Sequence, residues 1–249
     1  MITVDNLSFQ YGKKAALTKV NAVFETGKFY AVVGPNGCGK TTLIRLMAGL
    51  LPPSSGAVCL DGNGAETFSR IAYARKVAWM PQERTIPPVR VEEYITNARY
   101  PYLDLSRKLS AKDRIAVEEA LKKTETEALR HCRMPELSGG ERQRVYLAML
   151  LAQDTPYVLL DEPITYLDVG HQFSIMQQLT AMRDAGKCVI AVLHDLSLAL
   201  HYCDRVLVLH EGKVCGFDTP DKIANGELIS SVFGVQCKKV EQAYLIYPK

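Results

Sequence analysis

Apolar residues fall into two textures along the chain. Continuous runs at 29–33, 77–80, 157–160 and 188–193 are short and rich in β-formers, the pattern of strands buried on both faces of a parallel sheet. Stretches with apolar residues at helical spacing lie between them: 43–48, 142–152 and 172–182. This alternation predicts an α/β unit. Ahead of it, 2–4 and the region around Phe9 read as two short strands bracketing Asp5 and Asn6, with a turn at Gly12. Residues 16–24 read as a further strand, and 57–60 as another. A short polar helix is expected over 67–72.

Between Gln82 and Leu137 strand-like runs disappear. Pro87, Pro88 and Pro101 punctuate the stretch. Val91, Ile95 and Ala98 recur at helical spacing, and Ser110 to Asp113 reads as a capping-box variant before a long helix reaching about Arg130, with Ile115, Leu121 and Ala128 on one face. The segment is expected to form a helical lobe built on the α/β unit. Tyr94, Tyr100 and Tyr102 with Arg99 are candidates either for an amphipathic docking surface or for ordinary packing of the lobe. Beyond the last buried run, 204–210 and 213–215 read as strands around Glu211 and Gly212. Thr219 and Pro220 then open a helix, a second follows near 227–233, and a terminal strand covers 244–247.

The chemistry concentrates where strands end. Gly34-Pro35-Asn36-Gly37-Cys38-Gly39-Lys40-Thr41-Thr42 follows the 29–33 run and matches GxxxxGK[ST] at every constrained position. Glycines there let backbone N–H groups converge at a helix N-terminus, a cradle for phosphate. Lys40 is placed to reach the β- and γ-phosphates, and the Thr41 hydroxyl to join a Mg²⁺ shell. The 157–160 run ends in Asp161 and Glu162: the first is suited to Mg²⁺, the second to orienting an attacking water. Gln82 and His194 each follow a strand, at the edge where parallel sheets bind ligands. Ser138, Gly139, Gly140 and Glu141 open the 142–152 helix, with Ser138 as N-cap. Tyr11 lies shortly before the phosphate loop, where its ring can stack on a base or pack in a strand.

Bulk properties add limits. With 249 residues and 47% hydrophobic content the chain can bury one sizeable core. A net charge of +3 is too mild to argue for nucleic acid or anionic lipid, and no nucleic-acid partner is expected. The first residues carry no signal-peptide pattern and no run approaches the ~20 apolar residues of a membrane span, so a cytoplasmic location is expected. Seven scattered cysteines form no CxxC pair and read as reduced thiols, with Cys38 a candidate for alkylation or oxidation in the phosphate loop. His131, His171, His201 and His210 read as structural.

The ordered set Tyr11, 34–42, Gln82, 137–141, 157–162, Asp168 and His194 resembles the ATP-binding subunit of an ABC transporter. The resemblance implies roles for these positions: adenine-stacking aromatic, phosphate loop, Q-loop (with Gln82 also on the metal), signature sequence, Mg²⁺ and catalytic acids, D-loop and switch histidine. It implies a RecA-like P-loop core with an antiparallel β-subdomain over about 1–84 and 151–249, and an inserted helical subdomain over about 85–150. It also implies ATP and Mg²⁺ as cofactors and a head-to-tail dimer, in which Ser138 and Gly140 of one copy complete the site formed by Lys40 and Glu162 of the other. The stretches 79–83, 88–93, 97–101, 137–144 and 167–172 are similar to those of importers of ferric siderophores, haem and cobalamin. That subgroup implies integral membrane permease subunits, an extracytoplasmic substrate-binding protein, and a station on the cytoplasmic face of the membrane. Ile164, Tyr166 and Cys38 depart from the family's usual residues.

Overall fold

The computed structural model describes residues 1–249 except 83–84, 105–107, 166, 226, 242 and 249. Glu83 of the strand-end motif, Arg84 at the expected subdomain boundary and Tyr166 therefore lie outside the described residues.

The chain opens with β1 (Ile2–Tyr11), which pairs antiparallel with β2 (Lys14–Phe24). β1 is one strand where two short ones are expected. Its register slips between Val4 and Leu7, Asn6 takes φ 45°, and the Asn6 N–H donates to Asn21 Oδ1 at 2.9 Å. A bulge with its own side-chain acceptor thus absorbs the polar pair without ending the strand. After β3 (Phe29–Val33) and α1 (Lys40–Met47), β4 (Ser55–Leu60) returns beside β1, and the two-residue β5 (Asn63–Gly64) closes a four-stranded sheet ordered β2-β1-β4-β5. The polar helix expected over 67–72 is split into a 3₁₀ turn at Ala65–Thr67 and α2 (Arg70–Ala74), because Ser69 is extended and caps the second piece.

The larger sheet contains β6 (Val77–Met80), and three helices follow it: α3 (Val91–Thr96), α4 (Ala111–Lys123) and α5 (Gly139–Gln153). The chain then alternates through β7 (Tyr157–Asp161), α6 (Val169–Asp184), β8 (Cys188–Val192), α7 (Leu196–Tyr202), β9 (Arg205–His210) and β10 (Lys213–Asp218). Strand order is β10-β9-β3-β8-β7-β6, parallel except for β10. The terminal segment adds α8 (Pro220–Ala224), α9 (Leu228–Phe233) and a hairpin of β11 (Val235–Val240) with β12 (Ala243–Pro248).

Strands β3, β7 and β8 are buried at every residue, which explains their unbroken apolar runs. Alternation divides their side chains between two cores. Ala31, Val33, Val158, Leu160 and Ala191 face the α3–α5 and α6–α7 side, whereas Tyr30, Val32, Leu159, Ile190 and Val192 join α1 and the β1-β2-β4 sheet.

Helix α4 stops at Lys123, short of Arg130. The Thr124 hydroxyl donates to the Ala120 carbonyl, and Glu125 adopts φ 54°, which ends the helical path. Its buried face is Val117, Ala120 and Leu121, while Ile115 and Ala128 are exposed. Of the two readings of the Tyr/Arg group, packing within the lobe holds for Arg99, Tyr94 and Tyr102. Arg99 is 3% exposed, pairs with Asp113 at 2.8 Å, donates to the Ala152 carbonyl, and carries the Tyr102 ring 3.9 Å from its guanidinium carbon. Tyr94 packs on Tyr146, leaving Tyr100 as the exposed ring. A cation in that position is a clamp between the Asn97–Tyr102 turn, α4 and the end of α5.

Candidate active site

The phosphate loop leaves β3 through backbone that only glycine accepts. A Cβ on Gly34 (φ 156°) would stand 2.0 Å from the Leu209 carbonyl oxygen, and one on Gly39 (φ 108°) 2.6 Å from that of Ala16. The loop is therefore wedged between β9 and β2. Gly39 offers no side chain to cap α1, so the first donors of that helix stay available. Lys40, 6% exposed, curls back and donates from Nζ to the carbonyls of Gly34 (2.7 Å) and Pro35 (3.0 Å). Cys38 lies on the protein side of the loop at 6% exposure, and burial pushes its thiol above the ordinary value. Both disfavour the thiolate, which is the nucleophilic form.

Asn36, Gly37, Gly39, Lys40, Thr41 and Thr42 line a cleft of about 690 Å³. Tyr11, half exposed at the tip of the β1–β2 hairpin, stands on one side with Lys14, while Gln82, Glu162, Thr165 and His194 stand on the other. The strand order brings the second group together: β6, β7 and β8 are neighbours, so the residues after each meet at one sheet edge. Glu162 has φ 54° and carries its carboxylate into this group. Its Oε1 is 2.5 Å from His194 Nε2, and its Oε2 accepts from Gln82 Nε2 (2.8 Å) and from the Thr165 hydroxyl (3.2 Å). Thr165 was not among the residues the sequence singled out; the signal was a hydroxyl three positions after the acid.

Asp161 is 1% exposed. Its Oδ1 accepts from the Thr41 hydroxyl at 3.1 Å, while its Oδ2 is buried with no hydrogen-bond partner among the described residues. Burial raises the carboxyl above its usual range, with the neighbouring Glu162 adding to the effect. A buried carboxylate with an unused oxygen beside a hydroxyl is a hard-oxygen donor set that fits Mg²⁺. Gln82 is adjacent, though its amide nitrogen is engaged with Glu162.

Ser138, Gly139, Gly140, Glu141 and Asp168 stand apart from this cleft. Ser138 caps α5 in a capping box: its hydroxyl oxygen accepts from the Glu141 N–H at 3.3 Å, and Glu141 Oε2 accepts from the Ser138 N–H at 2.9 Å. The Ser138 hydroxyl donates to that same oxygen at 2.7 Å, and these bonds hold the Glu141 carboxyl below its usual range. Gln143, one turn further, donates from Nε2 to the Pro163 carbonyl, which ties α5 to the loop carrying Glu162. That link too was missed, as nothing in a helical glutamine announces it. Asp168 caps α6, accepting from the His171 N–H at 2.9 Å.

Residues 17–165 match the ABC transporter family. The chain belongs to that family. It is an ABC-type ATPase with ATP and Mg²⁺ as its cofactor set, and its P-loop core, antiparallel β-subdomain and helical insertion are the ABC ATPase fold. The chain is 36% identical over 239 residues to the ferric enterobactin transport ATP-binding protein FepC of Escherichia coli (strain K12), covering 95% of this chain and 88% of that one. It is 38% identical to the hemin import ATP-binding protein HmuV of Pseudomonas fluorescens (strain Pf0-1), covering 95% and 93%. Among solved structures, the dimeric post-hydrolysis state of the ATP-binding cassette MJ0796 bound to ADP and Pi superposes with a TM-score of 0.77 at 27% identity, covering 88% of this chain and 99% of that one. Among the described residues, no helix of this ABC ATPase is long and apolar enough to cross a membrane.

Proposed function

We propose that this ABC ATPase drives import of an iron chelate or haem, working as a head-to-tail pair on the cytoplasmic face of a membrane permease that receives cargo from a substrate-binding protein. The observation that carries the catalytic half is the Glu162 carboxylate, fixed between His194, Gln82 and Thr165 at the mouth of the phosphate-loop cleft. The relatives named for ferric enterobactin and hemin transport support the cargo class.

Each residue then has a task. Tyr11 stacks on the adenine. Residues 34–42 wrap the phosphates, with Lys40 exchanging its loop carbonyls for phosphate oxygens. Thr41 and Asp161, with Gln82, hold Mg²⁺. The metal those residues would hold would supply positive charge against the triphosphate. Glu162 orients the attacking water, and His194 and Gln82 hold Glu162 in place and report the γ-phosphate to the rest of the fold. Ser138, Gly139, Gly140 and Glu141 form the signature turn, whose donors meet the γ-phosphate bound by the other copy, and Asp168 lies beside that same nucleotide. Their distance from the cleft of their own chain is what a composite site requires. We assign the catalytic core with its β-subdomain to about 1–84 and 151–249, and the helical subdomain to about 85–150.

The test is copurification of tagged protein from detergent-solubilised native membranes, followed by uptake of a ferric chelate and of haem in cells carrying E162Q. A multi-span partner in equal amount and loss of one uptake activity are expected. Recovery of soluble protein alone, with both uptakes intact, would overturn the importer reading.

A further inference from the structure

We infer that His171 is a positioning residue: it locks the turn carrying Asp168 to the turn carrying Gly140, so that the two stretches one copy offers to its partner's nucleotide move as one body. The inference rests on the head-to-tail reading above and adds a part to it.

His171 is the third residue of α6. Its backbone N–H donates to one oxygen of the Asp168 carboxylate at 2.9 Å, and its ring Nδ1 lies 2.6 Å from the other. Because a carboxylate can only accept, the proton between them sits on Nδ1, which fixes the ring plane. The opposite edge of the ring faces α5. A Cβ on Gly140 would stand 2.7 Å from Nε2 and 2.9 Å from Cδ2, closer than side-chain carbons approach.

The two signature glycines thus differ. Nothing lies within 4 Å of where a Cβ on Gly139 would be, and neither glycine has a positive φ, so backbone conformation does not demand glycine at 140. At 140 it is the His171 ring, anchored on Asp168, that occupies the space a side chain would take. Between them, His171 and Gln143 fasten the first two turns of α5, one to the start of α6 and the other to the Pro163 carbonyl. Asp168, through His171, then sets the attitude of the Ser138 turn within the same chain, and the effect is felt at the partner's nucleotide.

That geometry makes an asymmetric prediction. Mixed dimers are prepared with two affinity tags, one copy carrying E162Q so that a single site hydrolyses ATP. With H171A on the E162Q copy, the signature turn that completes the working site is loosened, and kcat falls on the order of tenfold, with KM for ATP little changed. With H171A on the other copy, the same composition gives the unmodified rate. H171N, which keeps a donor for Asp168 but lacks the ring edge over Gly140, behaves as H171A. Ser138→Arg in the same two placements tests the head-to-tail reading separately. Equal loss from S138R in either placement overturns that reading and the inference with it. Asymmetric loss from S138R together with equal rates for the two H171A placements, or full activity of H171N, overturns the role of His171 alone.

Discussion

Glu162 Oε1 lies 2.5 Å from Nε2 of His194, joining the residue after β7 to the residue two past β8 across the sheet edge. The other Glu162 oxygen is held by Gln82 and Thr165, so the carboxylate keeps one orientation. Replacing His194 by alanine frees Oε1. We expect kcat to fall by about a hundredfold while ATP affinity, set by the phosphate loop, stays within about twofold. Steady-state hydrolysis with nucleotide titration by fluorescence checks both numbers.

The meeting of Gln82, Glu162 and His194 at one sheet edge was legible because they fall at fixed places in strand-end motifs, and motif position determines which edge of a parallel sheet a residue joins. Thr165, Gln143 and His171 were not legible. Each acts through a contact with a segment distant in sequence or after a turn: Glu162, Pro163 and Gly140 respectively. The fold shows the same division. Continuous apolar runs identified β3, β6, β7 and β8, while the ends of elements went astray where a single side chain decides them. Asn21 keeps β1 continuous past Asn6, and Thr124 stops α4 seven residues before Arg130. For Arg99, surface and lobe packing both stayed open, because the composition of a segment does not disclose that Asp113 will meet it inside.

Asp161 offers an opposition between stability and activity. Its carboxylate is buried with one oxygen unpartnered, and its raised pKa means that the charged form weakens the fold at neutral pH. D161N removes that charge. In metal-free buffer we expect the variant to be at least as stable as wild type, by about 1 kcal/mol in urea unfolding, yet unable to hydrolyse ATP with Mg²⁺. Wild type should gain stability from added Mg²⁺ and ATP, and D161N much less.

The Arg99–Asp113 pair predicts a pH signature. Burial pushes the Asp113 carboxyl up, but hydrogen bonds from Ser110 and Arg99 outweigh it and leave the folded value below the ordinary one. Stability from this group is therefore present above the unfolded value of about 3.9 and is lost as pH falls through the lowered folded value. D113N leaves the guanidinium buried without its counter-charge, for a loss of about 3 kcal/mol at pH 7. The gap between D113N and wild type should narrow as pH drops below about 4, read from denaturant midpoints at each pH.

Thiol chemistry separates two cysteines. Cys38 is buried and its thiol raised, whereas Cys215 is exposed. Maleimide labelling of native protein, followed by peptide mapping, should mark Cys215 at least about tenfold faster than Cys38, and C38S should retain nucleotide binding.

The most direct test of the central claim, that two copies complete each other's nucleotide sites, is the solution mass of E162Q with ATP and Mg²⁺, measured by light scattering after gel filtration. Twice the 27.7 kDa chain mass is expected with nucleotide and the single chain mass without it, with Ser138→Arg added to E162Q abolishing the change. A mass unaffected by nucleotide, or a dimer that S138R leaves intact, would contradict it.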